Sequence, residues 1–336
     1  MRFIISLVIV GLFFSCNNQD TTPDVSNIKI NIITERYEKD LFSVDSNHLN
    51  SELNLLLQKY PTFGVAFNST ILNADPIWSK DTLAMYLKEF IRSYRTVYDT
   101  AEKMYADFSP YQKEITNSLQ LLKYYFPAYK APNKIITYIG PIDGYGDILT
   151  EDAFIIGLHH HLGAEASFYK SMWLLETYPA YIIRRFEPAY ITINCMRNVV
   201  NDLIPSSRED ASLVTQMIEE GKRLYILEKL LPDVEKNNLI AYSAKQLSDC
   251  YSHEAQIWDL FIQNNLLQTI DKNIIKNYIG EGPKTQELGE ASPGNIGAFV
   301  GWQIVKKFMK NSNKLTLKEL IQMDAETIMQ AAKYKP

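Results

Sequence analysis

The chain has 336 residues, enough for one large domain or two small ones. Hydrophobic residues make up 46%, so a sizeable core can be buried, and the formal net charge of −5 with a pI near 5.7 argues against nucleic acid as a partner. The 21 tyrosines and 15 phenylalanines suit a packed core, and any surplus on the surface suits carbohydrate or protein contact.

At the N-terminus, Met1 and Arg2 precede a largely apolar run over residues 3–14, followed by Ser15 and Cys16. One positive charge, a short apolar core and a small residue at the cleavage point are the parts of a secretory signal. The run is too short to span a bilayer, which takes about 20 apolar residues. Cys16 directly after Ser15 fits the lipoprotein pattern, in which the thiol takes a diacylglycerol and becomes the new N-terminus. Phe13 and Phe14 are bulky for that pattern. Residues 1–15 are therefore expected to be a signal peptide and residues 16–27 a lipidated, flexible, polar tether. That places the protein in the cell envelope, held to a membrane by the lipid on Cys16. Residues 28–336 are expected to form a single α-rich domain with no transmembrane segment.

Ile28, Ile30 and Ile32 alternate with polar residues and predict a short strand leading into a loop. Leu53, Leu56 and Leu57 recur at helical spacing up to Pro61, and further helices are expected over residues 81–98 and 110–125. The pattern changes at Asn133. The β-branched run 134–139 and the apolar run 153–158 predict two strands, as a hairpin or as neighbours. Helices are then expected through Met196 to Leu203, from Ser212 to Leu231, from Ser243 to Cys250, over 254–267, near Phe299 and near Thr316. The fold class is α+β, mostly α, a helical domain with a small central sheet. In the helix from Ser212 to Leu231, Val214, Ile218, Leu224 and Leu227 are expected to pack inward, with Lys222 and Arg223 on other faces.

Four features bear on chemistry. His159, His160 and His161 follow the second strand. On a strand, adjacent residues point to opposite faces, so His159 and His161 would share one face and look for partners elsewhere. The alternative is a polar strand end with hydrogen-bonded histidines. His253 and Glu254 are half of the HExxH zinc motif, but Ile257 stands where the second histidine belongs, which reads as an ordinary helix start. Asp143 and Asp147 flank the Gly144-Tyr145-Gly146 turn. It lacks the ligand order of a calcium loop and reads as a solvated turn. Cys195 and Cys250 read as buried free thiols, or as one disulfide in an oxidising compartment.

Several blocks carry a family resemblance in the right order. They are Ile155-Ile156-Gly157-Leu158 with His160-His161-Leu162-Gly163, then residues 219–225, Ile257-Trp258, Ser292-Pro293-Gly294-Asn295-Ile296-Gly297 with Gly301-Trp302, and the terminal 332–336. The mature chain resembles the gliding motility lipoprotein GldB family of the Bacteroidetes. That resemblance implies an envelope lipoprotein associated with gliding and its linked secretion machinery, partnered by other envelope proteins, with no defined biochemical activity. A fainter resemblance of the second half is to zinc proteases, laid out as strands, a metal helix, and a helix bearing Glu before Gly. It implies a degenerate protease-like scaffold without HExxH, in which Asn198 and Asp202, one turn apart, face Glu220. The candidate pocket is then His159, His161, Asn198, Asp202 and Glu220. No catalytic residue is assigned, and two carboxylates and an amide without a general base suit binding better than hydrolysis. No cofactor is expected. Zinc enters only under the alternative, a metal-binding, peptidase-like hydrolase with a degenerate site.

Overall fold

The computed structural model describes residues 22–45, 47–205, 210–312 and 315–336. Cys16 and the apolar run before it lie outside the described residues. Within the stretch read as tether, Val25 is half-buried against the core and its carbonyl accepts the Ile28 amide at 2.9 Å.

Strand β1 (Ile33–Arg36) runs directly into helix α1 (Tyr37–Phe42), where a loop was expected. Tyr37 and Leu41 lie one turn apart on one face of α1 and are both buried, and this apolar pair fixes the helix. Tyr37 meets Tyr60 and Phe63 edge-on at 5.0 and 4.9 Å. Helices α2 (Leu49–Lys59), α3 (Pro61–Ala66), α4 (Lys80–Ser93), α5 (Arg95–Met104) and α6 (Ser109–Tyr125) follow. Pro61 opens α3, where its missing N–H costs nothing, and Ser79 caps α4 through the Thr82 amide.

The sheet then forms from β2 (Lys134–Tyr138), β3 (Ile148–Leu149) and β4 (Ala153–Gly157), in the order β1-β2-β4-β3. β1, β2 and β4 are parallel, and only the two-residue β3 is antiparallel, turning back on β4. The two strands read from the sequence are thus neighbours, but not a hairpin. Ile135, Ile136, Phe154 and Ile155 are all buried, so both faces of the central pair are covered. This is why the strands read as continuous apolar runs rather than alternating ones.

Beyond the sheet come the short helices α7 (Met172–Thr177) and α8 (Ala180–Ile183), then α9 (Tyr190–Leu203) and α10 (Leu213–Leu230). They are followed by α11 (Lys236–Leu239), α12 (Ala244–Ser252), α13 (Glu254–Gln263), α14 (Lys272–Ile275), α15 (Ile296–Asn311), α16 (Leu317–Gln322) and α17 (Ala325–Ala332). The molecule is therefore α+β and mostly α. His253 is the junction between α12 and α13 and is exposed, with Nδ1 on the Asp249 carbonyl at 2.8 Å.

Helix α10 is buried on nearly every side. Val214, Ile218, Leu224 and Leu227 face the core as expected, but Lys222 and Arg223 are buried too. Both are paired, which is what makes their burial tolerable. Lys222 Nζ donates to Glu219 Oε1 at 2.7 Å and to the Met323 carbonyl at 2.5 Å. Arg223 donates to the carbonyls of Ile204 and Pro205, just beyond the end of α9. Helices α10 and α15 cross at glycine: a Cβ on Gly221 would lie 2.2 Å from the Gly301 carbonyl carbon. Cys195 and Cys250 are both free and buried, and burial pushes the Cys250 thiol up to about 12.

Candidate functional site

The histidine run does not continue strand β4. The chain leaves the sheet at Gly157 and makes one 3₁₀ turn over Leu158–His160. Successive side chains in such a turn fan out by about 120°. The three imidazoles therefore meet three different walls and all are buried, instead of two sharing a face. Small residues make room for them: a Cβ on Gly146 would lie 2.6 Å from His160 Nδ1, and one on Gly157 2.7 Å from His159 Cε1.

His159 accepts the Gly140 amide at Nδ1 (3.0 Å), so its proton is on Nε2, which donates to the Tyr145 carbonyl at 3.0 Å. Burial holds its pKa well below the usual histidine range. His160 donates from Nε2 to the Ile142 carbonyl at 2.8 Å and stacks on Phe186 at 4.5 Å, and burial depresses it as well. His161 differs. Its Nδ1 faces the Glu187 carbonyl at 3.1 Å and its Nε2 faces Asp147 Oδ2 at 2.8 Å. Both partners only accept, so both nitrogens carry protons and the ring is a cation. Burial opposes that charge, but the Asp147 carboxylate outweighs it and raises the imidazole above its usual range.

Asp147 is 5% exposed, a buried carboxylate in the turn that the sequence reads as solvated. Besides His161, it accepts the Gly157 amide at Oδ1 (3.1 Å) and the Asn194 amide at Oδ2 (2.8 Å). Burial works against its charge, and His161 then Asn194 more than offset it, so its pKa lies below the ordinary value. Asn198, one turn along α9 from Asn194, donates to the Asp147 backbone carbonyl at 3.2 Å. The turn before β3, the histidine turn after β4 and the inner face of α9 are thus tied at one residue. Two tyrosines close the cluster from outside. Tyr105 donates to the His161 carbonyl, and Tyr169 to the His159 carbonyl at 2.5 Å.

Of the five pocket candidates, His159, His161 and Asn198 belong to this cluster. Asp202 is exposed and accepts the Tyr129 hydroxyl at 2.8 Å. Glu220 is partly exposed and bonds Arg223 at 2.8 Å, the arginine that holds the end of α9. Among the described residues, no group of three or more His, Cys, Asp or Glu side chains is arranged to hold a metal ion. Asn194 is the member that sequence reasoning passes over, and Asp147 enters there only as part of a solvated turn. The signal for Asp147 was its place beside a Gly-x-Gly turn; Asn194 carried none.

A separate cavity of about 260 Å³ lies against one face of the sheet. Ile136, Ile148 and Ile155 form its floor, Tyr60, Phe63 and Ala66 face them, and none of the five candidates lines it.

No curated protein and no solved structure matches the chain. The sequence model of the gliding motility protein GldB family matches residues 18–336, nearly the whole length, in line with the resemblance carried by the signature blocks. That span includes the buried Asp147–His161 pair, the α9 amides that hold it and the glycine crossing of α10 with α15, and the chain belongs to the gliding motility protein GldB family.

Proposed function

We propose that the protein is a lipid-anchored, non-catalytic component of an envelope assembly that serves gliding and its linked secretion machinery. The observation that supports a binding role over hydrolysis is the way the candidate pocket spends its polar groups. The ring nitrogens of His159 and His161 are committed to carbonyls, an amide and Asp147, and Asn198 is committed to the Asp147 backbone. A metal would have to displace bonds that the fold uses, and an ionised imidazole cannot ligate at all.

The test is made on the full chain purified from envelopes, with Asn198→Ala and Glu220→Gln beside it. Bound zinc is measured, and partners are captured by cross-linking in intact envelopes before purification. The expected result is zinc well below one per chain and the same set of cross-linked envelope proteins in all three. One zinc per chain, lost in Glu220→Gln together with a peptidase activity, would replace this reading with the metal hydrolase.

A further inference from the structure

The cavity of about 260 Å³ against the sheet lies apart from the histidine cluster. Its floor is one row across three strands: Ile136 of β2 pairs with Ile155 of β4, and Ile155 with Ile148 of β3. Facing that row are the rings of Tyr60 and Phe63 and the methyl of Ala66. Tyr60 gives its hydroxyl to Asp40 Oδ2, and Lys59 at the rim gives its ammonium to the same oxygen at 2.6 Å. Asp40 is not part of the lining, so both polar ends are drawn away from the cavity. An apolar cavity of about 150 Å³ takes up benzene, so this one has room for a longer stretch of hydrocarbon.

The rest of the charged rim is Glu35, Lys134 and Asp152. Lys134 pairs with Ile33, two residues before Glu35 on β1, and with Ala153, the residue after Asp152 on β4. One cation therefore stands between two carboxylates, and Lys59 is already paired. Such a rim repels an anionic head, whether a fatty-acid carboxylate or a phosphate. It admits an aliphatic chain whose head is an ester or an amide. The chain carries a group of that kind within reach, the lipid expected on Cys16. Thr34 bonds Gln112 of α6 at 2.8 Å, so Ile33 and Glu35 on either side of it turn to the opposite face, that of the cavity. Val25 packs on the core, and Ile33 lies roughly eight residue steps beyond it, against roughly nine from Val25 back to Cys16. The polar segment is thus long enough to return to half-exposed Ile33, beside the rim residue Lys134.

We propose that this cavity binds a single acyl chain of an uncharged lipid, and that its occupant is one chain of the lipid on Cys16. The inference rests on the lipid-anchored reading and deepens it. The lipid divides between cavity and bilayer, and drawing one chain into the cavity loosens the hold that several chains give together.

The test uses the full chain in intact envelopes. Cells are fed a fatty acid with a diazirine in its tail, the envelopes are irradiated, and the purified protein is digested and read by mass spectrometry. The expected product is a lipidated peptide beginning at Cys16, cross-linked within the same chain to the peptides that carry Phe63, Ile136 or Ile155. Ala66→Phe and Ile148→Phe fill the cavity from half-buried positions of its lining, and each should remove most of that cross-link while the lipid on Cys16 is unchanged. In Cys16→Ala, purified without detergent, glycerol monolaurate should raise the thermal midpoint, and laurate should bind about tenfold more weakly because of its carboxylate. A cross-link from free fatty acid to the same peptides, with none from the Cys16 peptide, assigns the cavity to a lipid from outside and overturns the occupant. Lipid on Cys16 that cross-links to bilayer lipids alone, or an internal cross-link unchanged in both filled variants, overturns the proposal and leaves the anchor standing. An N-terminal peptide without lipid overturns the anchor reading, and this occupant with it.

Discussion

Replacing Asp147 by Asn keeps the size of the side chain and removes its charge. Asp147 and His161 are 5% and 1% exposed, so the imidazolium would be left buried with no counter-charge. Breaking a buried pair from one side costs about 3–5 kcal/mol, far more than a surface bridge such as Arg92–Glu89 contributes. The pH dependence has a definite sign. The pKa of Asp147 is lowered below 3.8, so its contribution is present above that value and is lost as pH falls through the folded-state value. The pKa of His161 is raised above 6.5, so its contribution is complete below 6.5 and is lost as pH rises through the folded-state value. Both are in place between 3.8 and 6.5. Urea unfolding of Asp147→Asn beside the wild type should show its largest deficit in that window, shrinking on the alkaline side. A deficit independent of pH would mean that Asp147 acts through shape and not charge. The sequence did not carry this pair. Asp147 and His161 are far enough apart in the chain, with β3 and β4 between them, that only the return of the sheet brings them together, and a strand reading of the histidines points His161 to the wrong wall.

At the scale of elements, helix α10 crosses α15 so closely that backbones touch. A Cβ on Gly301 would lie 1.6 Å from the Met217 carbonyl oxygen, and one on Gly294 would lie 2.2 Å from the Gly282 carbonyl oxygen. Neither contact is the tip of a flexible side chain, so the helix or loop itself must move. Gly221→Ala, Gly301→Ala and Gly294→Ala should each lose about 3 kcal/mol or more, the upper part of the range for overpacking. Gly282→Ala is the control, because its own Cβ would meet nothing within 4 Å, and a change within about 0.5 kcal/mol is expected. Equal melting temperatures across the set would mean that the crossing is looser than described. Here the sequence was more informative. The blocks that carry the family resemblance, residues 219–225 and 292–302, lie on the two sides of this crossing, and Tyr242, between α11 and α12, holds the second block by donating to the carbonyls of Gly294 and Asn295. Glycines at the start of a helix such as α15 suit positive φ or close backbone approach. Gly294 and Gly297 serve close approach, and the left-handed residue is Asn295, at φ 54. The burial of Lys222 and Arg223 was not legible, because apolar periodicity marks one face and cannot report that α16–α17 and the end of α9 supply carbonyls on the others.

At the scale of the whole molecule, the question is what holds it in place. Among the described residues no helix is long and apolar enough to cross a membrane; in the proposed lipid-anchored form, the attachment would be carried by Cys16. Chain length alone bounds the reach of such an anchor. Val25 already packs against the core, leaving roughly nine residue steps from Cys16, which at full extension reach no more than about 30 Å. A protein held that way lies within one domain's width of the bilayer, where a partner in the same membrane is within reach. A single acyl chain binds marginally at about 0.8 kcal/mol per buried methylene, whereas a diacylglycerol together with a further chain holds stably. Cys16→Ala should therefore move the protein from the membrane pellet to the soluble fraction under washing with high salt, with its unfolding transition unchanged. Inserting a long Gly/Ser segment after residue 21 of the otherwise native chain should leave it in the pellet while loosening its distance to the bilayer. Cross-linking yield to envelope partners should fall in that variant if the short tether sets the geometry. Retention of Cys16→Ala in the pellet after high-salt washing would show that protein contacts, and not the lipid, hold the chain at the membrane.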